Sequence, residues 1–427
     1  MDLNLLKRKL LQLSFSGKVT NRETTDISVD ILYEKIKKEK EELIKETNAR
    51  KDPEYLPLLE DEYLFDIPKE WKWIRIGEIG IFKKGPFGSS LKKEMFVPKD
   101  VNTIKVYEQQ NAINKSSELG KYYITNEYFE EKMKGFEVVP GDIIVSCAGT
   151  IGECYIMPQK MEKGIINQAL MKMSLVQSIN TDYFLLYFDY ILKDISNEKG
   201  KGTGMKNIPP FEVFKNLLIP LPSYEEQERI VKKIKNIFNI VNKIEIEKQK
   251  LKSSKKILSK KVINLAMSGL ILPKNDSWNE DELGNILQYE QPSKYIVEST
   301  KYSDDYSTPV LTPGKTFILG YTNETENIFN ASEKEPVIIF DDFTSSSKFV
   351  NFPFKVKSSA MKILHIKDGM NIKFYYYLLQ SLNIDVSTHK RYWISVFAPI
   401  TVPVPPKEEQ DKIVEKVEQL LNLIDQI

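Results

Sequence analysis

Hydrophobic residues recur every third or fourth position along one stretch of the chain, at Ile230, Ile234, Ile237, Val241, Ile244, Leu251, Leu258, Val262 and Leu265. That spacing predicts a long helix with a coiled-coil seam. The same rhythm asks for apolar residues at 248 and 255 and meets Lys248 and Lys255, polar positions that fix register or mark where the seam turns from an internal partner to another protein. A second amphipathic run over 28–48 predicts a charged helix packed beside an N-terminal one. Elsewhere, short β-patterned runs such as Gly141-Asp-Ile-Ile-Val-Ser146 and Pro336-Val-Ile-Ile-Phe340 precede helical ones near Tyr183–Leu192 and Phe374–Leu382. Residues 65–222 and 273–405 therefore read as two α/β domains.

Both halves follow one plan. Ile219-Pro-Leu-Pro-Ser-Tyr-Glu-Glu-Gln-Glu-Arg-Ile-Val231 recurs as Val402-Pro-Val-Pro-Pro-Lys-Glu-Glu-Gln-Asp-Lys-Ile-Val414, a shift of 183 positions. Proline stops a strand in each copy, and the Glu pair then falls in the first turn of a helix, where carboxylates complement the macrodipole. Glu225, Glu226, Glu408 and Glu409 are thus helix-start residues; neighbours on a helix do not face one another as a catalytic pair must. Leu6-Lys-Arg-Lys-Leu-Leu-Gln-Leu-Ser-Phe-Ser-Gly17 recurs as Leu258-Ser-Lys-Lys-Val-Ile-Asn-Leu-Ala-Met-Ser-Gly269, a shift of 252. Each copy ends in the Ser-Gly stop of a helix C-terminus, and Trp71, Ile76, Gly77 and Ile79 are echoed by Trp278, Leu283, Gly284 and Ile286.

Together the shifts make residues 225–269 one unbroken helical segment whose second copy is split between the two chain ends. The fold class expected is α+β: two α/β domains separated by long antiparallel coiled-coil helices in a pseudo-two-fold, circular arrangement. Its parts are an N-terminal helical region (1–64), a first domain (65–222), a central helix (223–272), a second domain (273–405) and a C-terminal helix (406–427).

The composition, 41% hydrophobic and 28% charged over 427 residues, is that of a folded soluble chain and excludes the disordered class. No run approaches the ~20 consecutive apolar residues of a membrane span, and the first residues alternate Lys and Arg with Leu, so a cytoplasmic location is expected. Two cysteines, Cys147 and Cys154, and two distant histidines, His365 and His389, do not make a zinc site; reduced thiols and no metal are expected. A net charge of +1 excludes a surface basic all over, so any contact with nucleic acid must come from local loops.

Candidate loops combine Lys or Arg for phosphates, Gly for close approach, and hydroxyl, phenol or amide groups for base edges. In the first half they are Lys83–Lys93, with Lys83, Lys84, Ser89, Ser90, Lys92 and Lys93; Tyr107–Asn111, with Tyr107 and Gln109; and Lys199–Lys206, with Lys201, Thr203 and Lys206. In the second they are Thr312–Thr316, with Thr312 and Lys315; Ser345–Lys348, with Ser345 and Lys348; and His389–Trp393, with Lys390, Arg391 and Tyr392. A single Gly/Lys loop is ordinarily a solvated turn. Recurrence distinguishes these, since 199–206 and 389–393 both precede the Pro-rich exit. Catalytic motifs fail: Pro309 stands where the phosphate loop of Thr312-Pro-Gly-Lys-Thr316 needs its first glycine, and Asn207-Ile-Pro-Pro-Phe211 interrupts the amino-methyltransferase tetrapeptide.

The opening Leu10-Leu-Gln-Leu-Ser-Phe-Ser-Gly-Lys18, Ile67-Pro-Lys-Glu-Trp71, Ile76-Gly77-Glu78, Gly141-Asp142-Ile143, the Thr203–Ile208 stretch and both Pro-x-Pro-x-x-Glu-Glu-Gln segments follow one another in this order. In that order and duplication the chain resembles the DNA-specificity subunits of type I restriction-modification systems over nearly its full length. The resemblance implies two target-recognition domains, each reading half of a bipartite, asymmetric double-stranded DNA site, with no catalytic residue and no cofactor in this chain. It also implies two methyltransferase subunits that bind S-adenosylmethionine and modify adenine, and a motor-nuclease (restriction/translocase) subunit. On that reading the helix over 225–269, roughly 65 to 70 Å at ~1.5 Å per residue, is a ruler about two turns of B-DNA long. His389–Trp393 departs from the family's Gly-Thr-Gly-Met-Lys-Asn loop, which leaves the base readers of the second domain open. Two other classes remain open at this point: a coiled-coil scaffold that binds no DNA, and a stand-alone DNA-modifying enzyme.

Overall fold

A computed structural model describes residues 2–198, 210–271, 278–312, 316–384 and 391–427, with the side chains of 193–198 excepted. The chain divides into two compact units, Met1–Glu245 and Ile246–Ile427. The division falls inside the central helix, Tyr224–Met267, which the sequence pattern had set apart as a part of its own. Among the described residues no helix is long and apolar enough to cross a membrane.

In the first unit, the helix Leu3–Phe15 starts on the Asp2 carboxylate, which accepts from the Asn4 and Leu5 amides. It stops at Gly17, whose φ of 69° is left-handed backbone that glycine adopts without strain. This helix runs antiparallel to the first part of the central helix: Lys7 reaches Asn242 (2.8 Å), while Lys233 donates to the Val19 carbonyl (2.7 Å). The helix Val29–Thr47 forms as expected, and its polar contacts run to the turn Ile76–Ile79: Tyr33 donates to Glu78 (2.5 Å) and Lys40 to the Gly77 carbonyl (2.7 Å).

Beyond them lie a two-stranded ribbon, Lys72–Arg75 against Leu218–Leu221, and two four-stranded sheets. The first sheet has the order Gly80–Lys84, Leu170–Leu175, Ile143–Ser146, Cys154–Ile156, antiparallel throughout. The second has the order Tyr123–Thr125, Thr103–Tyr107, Gly164–Ile166, Glu137–Val138, with its middle pair parallel. The main core joins Phe15, Trp71, Ile76, Tyr183, Tyr187, Phe214, Ile230 and Ile234, so the helices and the first sheet share one interior.

The second unit repeats these pieces. A ribbon pairs Asn279–Glu282 with Thr401–Val404, and an antiparallel sheet has the order Leu287–Glu290, Met361–Ile366, Val337–Asp341, Ser347–Val350. A three-stranded sheet has the order Ile318–Thr322, Thr308–Leu311, Lys355–Val356, the last pair parallel. Here the end of the central helix packs with the helix Lys407–Gln426: Ile263 and Met267 share a core with Ile413 and Val417, and Lys255 donates to the Asp425 carbonyl (2.9 Å).

The duplicated sequence forms duplicated latches. Trp71 donates its indole N–H to Glu226 (3.0 Å), and Trp278 donates to Glu409 (2.5 Å). Gln227 donates to the Pro222 carbonyl and accepts from the Asn180 amide; Gln410 does the same with Pro405 and Asn371. Glu226 is 2% exposed and also accepts from Thr20 (3.0 Å), so it ties the strand-entry tryptophan and the N-terminal segment to the helix start.

The seam expected along the central helix is not continuous. Ile230, Ile234 and Val241 are buried, but Ile244, Leu251, Leu258 and Leu265 are exposed, and the later part buries Ile263, Ala266 and Met267 instead. The apolar stripe breaks because each part of the helix packs within a different unit, against a different partner helix.

Candidate nucleic-acid interface

Strand register gathers loops at one end of the sheets in the first unit. Lys84 lies opposite Met171 and Ser146 opposite Leu170. The loop after Gly80–Lys84, the hairpin Cys147–Glu153 and the link Asn167–Ala169 therefore emerge together. The parallel pair Tyr107↔Ile166 brings in the turn after Thr103–Tyr107, with the Asn167 amide donating to the Tyr107 carbonyl (3.0 Å) and the Gln109 side-chain amide donating to the Ala148 carbonyl. Gly85 is closed in by backbone: a Cβ there would lie 1.9 Å from the Asn167 carbonyl oxygen. That packing sets the loop's path, and Tyr128 holds its far side by donating to the Ser90 carbonyl (2.8 Å).

Between these anchors the loop presents Lys83, Lys84, Ser89, Lys92 and Lys93 as exposed residues, Ser90 half-buried, and Phe87 at 87% exposure. Among the described residues, none of the four lysines finds an ion-pair partner. By contrast, Lys105 is buried against Glu162 (3.2 Å) and half-buried Lys172 faces Asp142 (3.4 Å), so those charges brace the sheets and are spent internally. Burial raises the thiol pKa of Cys147 to about 11 and that of Cys154 to about 12, so both bordering cysteines are neutral thiols.

The second unit builds the same end. Asp341 lies opposite Met361, the Lys357 amide donates to the Leu311 carbonyl (2.8 Å) where its counterpart donates to Tyr107, and Gln291 donates to the Ser359 carbonyl (3.0 Å). Thr312, the hairpin containing Ser345, and Ser358–Ala360 thus come together. Ser345 sits in left-handed backbone (φ 53°) and is half-buried. Lys348 is exposed at the start of the next strand, 6.0 Å from the Phe317 ring. Exposed Arg391 joins this end because the next two amides both bond to Asp342, Tyr392 N to its carbonyl (2.9 Å) and Trp393 N to its carboxylate (2.8 Å). The Asp342 carboxylate also faces buried Lys362 (3.5 Å).

Two expected contact residues are corrected. Tyr107 and Tyr392 are fully buried. Tyr107 ends a strand with its hydroxyl donating to the Glu162 carbonyl (2.6 Å), and Tyr392 lies in the core beside Trp393. Neither side chain can reach a ligand. Lys201, Thr203, Lys206, Lys315 and Lys390 lie outside the described residues. The hairpin with Gly149 and Gly152, both at positive φ, and Gln291 with Ser358–Ser359 went unremarked in the sequence. The Gly-x-x-Gly spacing between two β runs was the available signal for the first. Amides, hydroxyls and unpaired cations at one sheet end suit a ligand with phosphates and hydrogen-bonding edges.

A family model described as the type I restriction modification DNA specificity domain matches residues 68–253 and 275–427. Over 147 residues the chain is 47% identical to the Escherichia coli type I restriction enzyme EcoR124I/EcoR124II specificity subunit, a match covering 34% of this chain and 36% of that one. It is 23% identical over 286 residues to the EcoEI specificity subunit of the same organism, covering 62% and 46% respectively. The chain therefore spans less than half the length of these curated relatives. A chain from a structure concerned with complex assembly and conformational transition of the type I R-M system superimposes with a TM-score of 0.58 at 16% identity, covering 84% of this chain and 92% of that one.

Proposed function

Since this chain belongs to the type I restriction-modification DNA specificity family, we propose that it reads a bipartite double-stranded DNA target and holds methyltransferase subunits over it, without an active site of its own. The observation that carries this reading is the loop cluster built twice, at corresponding strand ends in both units. Each cluster reads one half-site, and the central helix acts as the ruler between them. The domain limits 65–222 and 273–405, the antiparallel coiled coil and the closed pseudo-two-fold arrangement, with its second strut assembled from the two chain ends, belong to the same reading.

A repeated apolar surface supports two copies of one partner. Leu5 and Leu6 correspond by the shift of 252 to Ile257 and Leu258, and Ile240 corresponds by the shift of 183 to Leu423; all six are exposed. Exposed apolar side chains recurring on both helix pairs are what two identical protein subunits need. We assign them to methyltransferase subunits that carry S-adenosylmethionine, with a restriction/translocase subunit completing a cytoplasmic complex.

Co-expression with the neighbouring methyltransferase, followed by methylation sequencing, gives a bipartite motif on this reading. A continuous motif, or none, overturns it. A scaffold that binds no DNA is separated by a salt-dependent DNA-binding assay, and a stand-alone enzyme by methylation or cleavage with the purified chain alone.

A further inference from the structure

Within the first unit, a cleft of about 1530 Å³ lies between the C-terminal end of the helix Val29–Thr47 and the loop after Gly80–Lys84. Arg50 and Lys51 line it from the helix side; Lys83 and Lys84 line it from the strand side, with Phe87 beside them. All four cations are exposed, and none finds an ion-pair partner among the described residues. The other cations of the lining are paired within the fold, Lys40 (3.0 Å) and Lys215 (2.5 Å) both with Asp52, Lys172 with Asp142 (3.4 Å) and Lys134 with Glu130 (2.7 Å). Glu46, Glu137 and Glu212 also line the cleft, and cations remain in excess.

We propose that this cleft is a second polyanion site, which grips the DNA backbone beside the stretch read by the first loop cluster. Unpaired cations from two separate segments repel one another across a shared space until an anion enters, and a chain of phosphates neutralises them together. The volume exceeds the roughly 300–1,000 Å³ of ordinary small-molecule pockets, which favours a polymer. Lys83 and Lys84 belong both to this cleft and to the loop cluster, so one strand can run from one to the other. The segment that forms the helix-side wall falls between Gly17 and Trp71, whereas Gly269 and Trp278 leave no room for an equivalent. The extra grip therefore exists on one half-site only.

This inference rests on the DNA-reading assignment, and the test separates the two. The complex with the methyltransferase is bound to its own target, comparing Arg50→Glu/Lys51→Glu, Lys84→Glu and the unaltered chain. The double variant should bind about tenfold or more weakly at moderate salt, with the salt slope shallower by about 1 to 2. Hydroxyl-radical protection should retreat on one flank only, with the methylated motif unchanged. Unchanged affinity and footprint in the double variant, while Lys84→Glu weakens binding, overturn the cleft and leave the reading function standing. If Lys84→Glu is also without effect, both fall. A changed motif in the double variant overturns the cleft as well, because backbone contacts carry no base preference.

Discussion

Trp71 and Trp278 each enter a strand with the indole held by a glutamate at a helix start, and the first of these bonds is fully buried. Glu226→Ala leaves a buried indole N–H without an acceptor and should destabilise the chain by about 1–3 kcal/mol in urea unfolding, with Glu226→Gln losing less. Asp26 provides a pH test. Its carboxylate meets the Arg229 guanidinium twice, at 2.8 and 2.5 Å, and Arg229 holds its pKa below the usual carboxylate value. A carboxylate with a depressed folded pKa contributes stability above its unfolded pKa and loses it as pH falls through the folded one. The stability gap between the unaltered chain and Asp26→Asn should thus be full at pH 7 and close under acid, as followed by thermal melts at several pH values. Phe87 packs on little, so Phe87→Ser should leave the melting temperature unchanged while weakening DNA binding through loss of an aromatic face.

At the scale of elements, helix ends were the most legible features. Ser-Gly stops and Pro-Glu-Glu-Gln starts are local chemistry, and the structure ends and begins helices there. Gly17→Ala tests the stop: φ is positive, and a Cβ would lie 2.3 Å from the Pro68 side chain. It should cost more than about 1 kcal/mol by denaturant titration, above the usual penalty for strained backbone. The seam of the central helix was legible only as far as Val241, because spacing along one helix does not reveal that the packing partner changes. Contact residues were harder still. Tyr107 and Gln109 lie two positions apart in one motif, yet one ends a strand facing the core and the other begins the short helix Gln109–Ile113. That difference comes from where a strand stops, and composition alone does not record it.

For the whole molecule, each unit builds the same latches on the helix starts that the shift of 183 pairs, Glu226 with Glu409 and Gln227 with Gln410, although the segments between the latched residues differ in length. The ruler reading makes its prediction here. Removing seven residues from the central helix, and seven more from its split counterpart, should shorten the unspecified spacer of the methylated motif and leave both half-sites as they were. Altered half-sites, read by methylation sequencing, would refute the ruler.

The two units are not quite interchangeable, since the stretch between Gly17 and Trp71 holds a whole helix, whereas only eight residues separate Gly269 from Trp278. A perfectly duplicated reader would have no head or tail, and two identical subunits seated on it would be equivalent. On the proposed reading the inserted helix gives the assembly a polarity: a component present once per complex has a feature by which to choose its side, and the order of the half-sites along the DNA becomes information that the protein itself can sense.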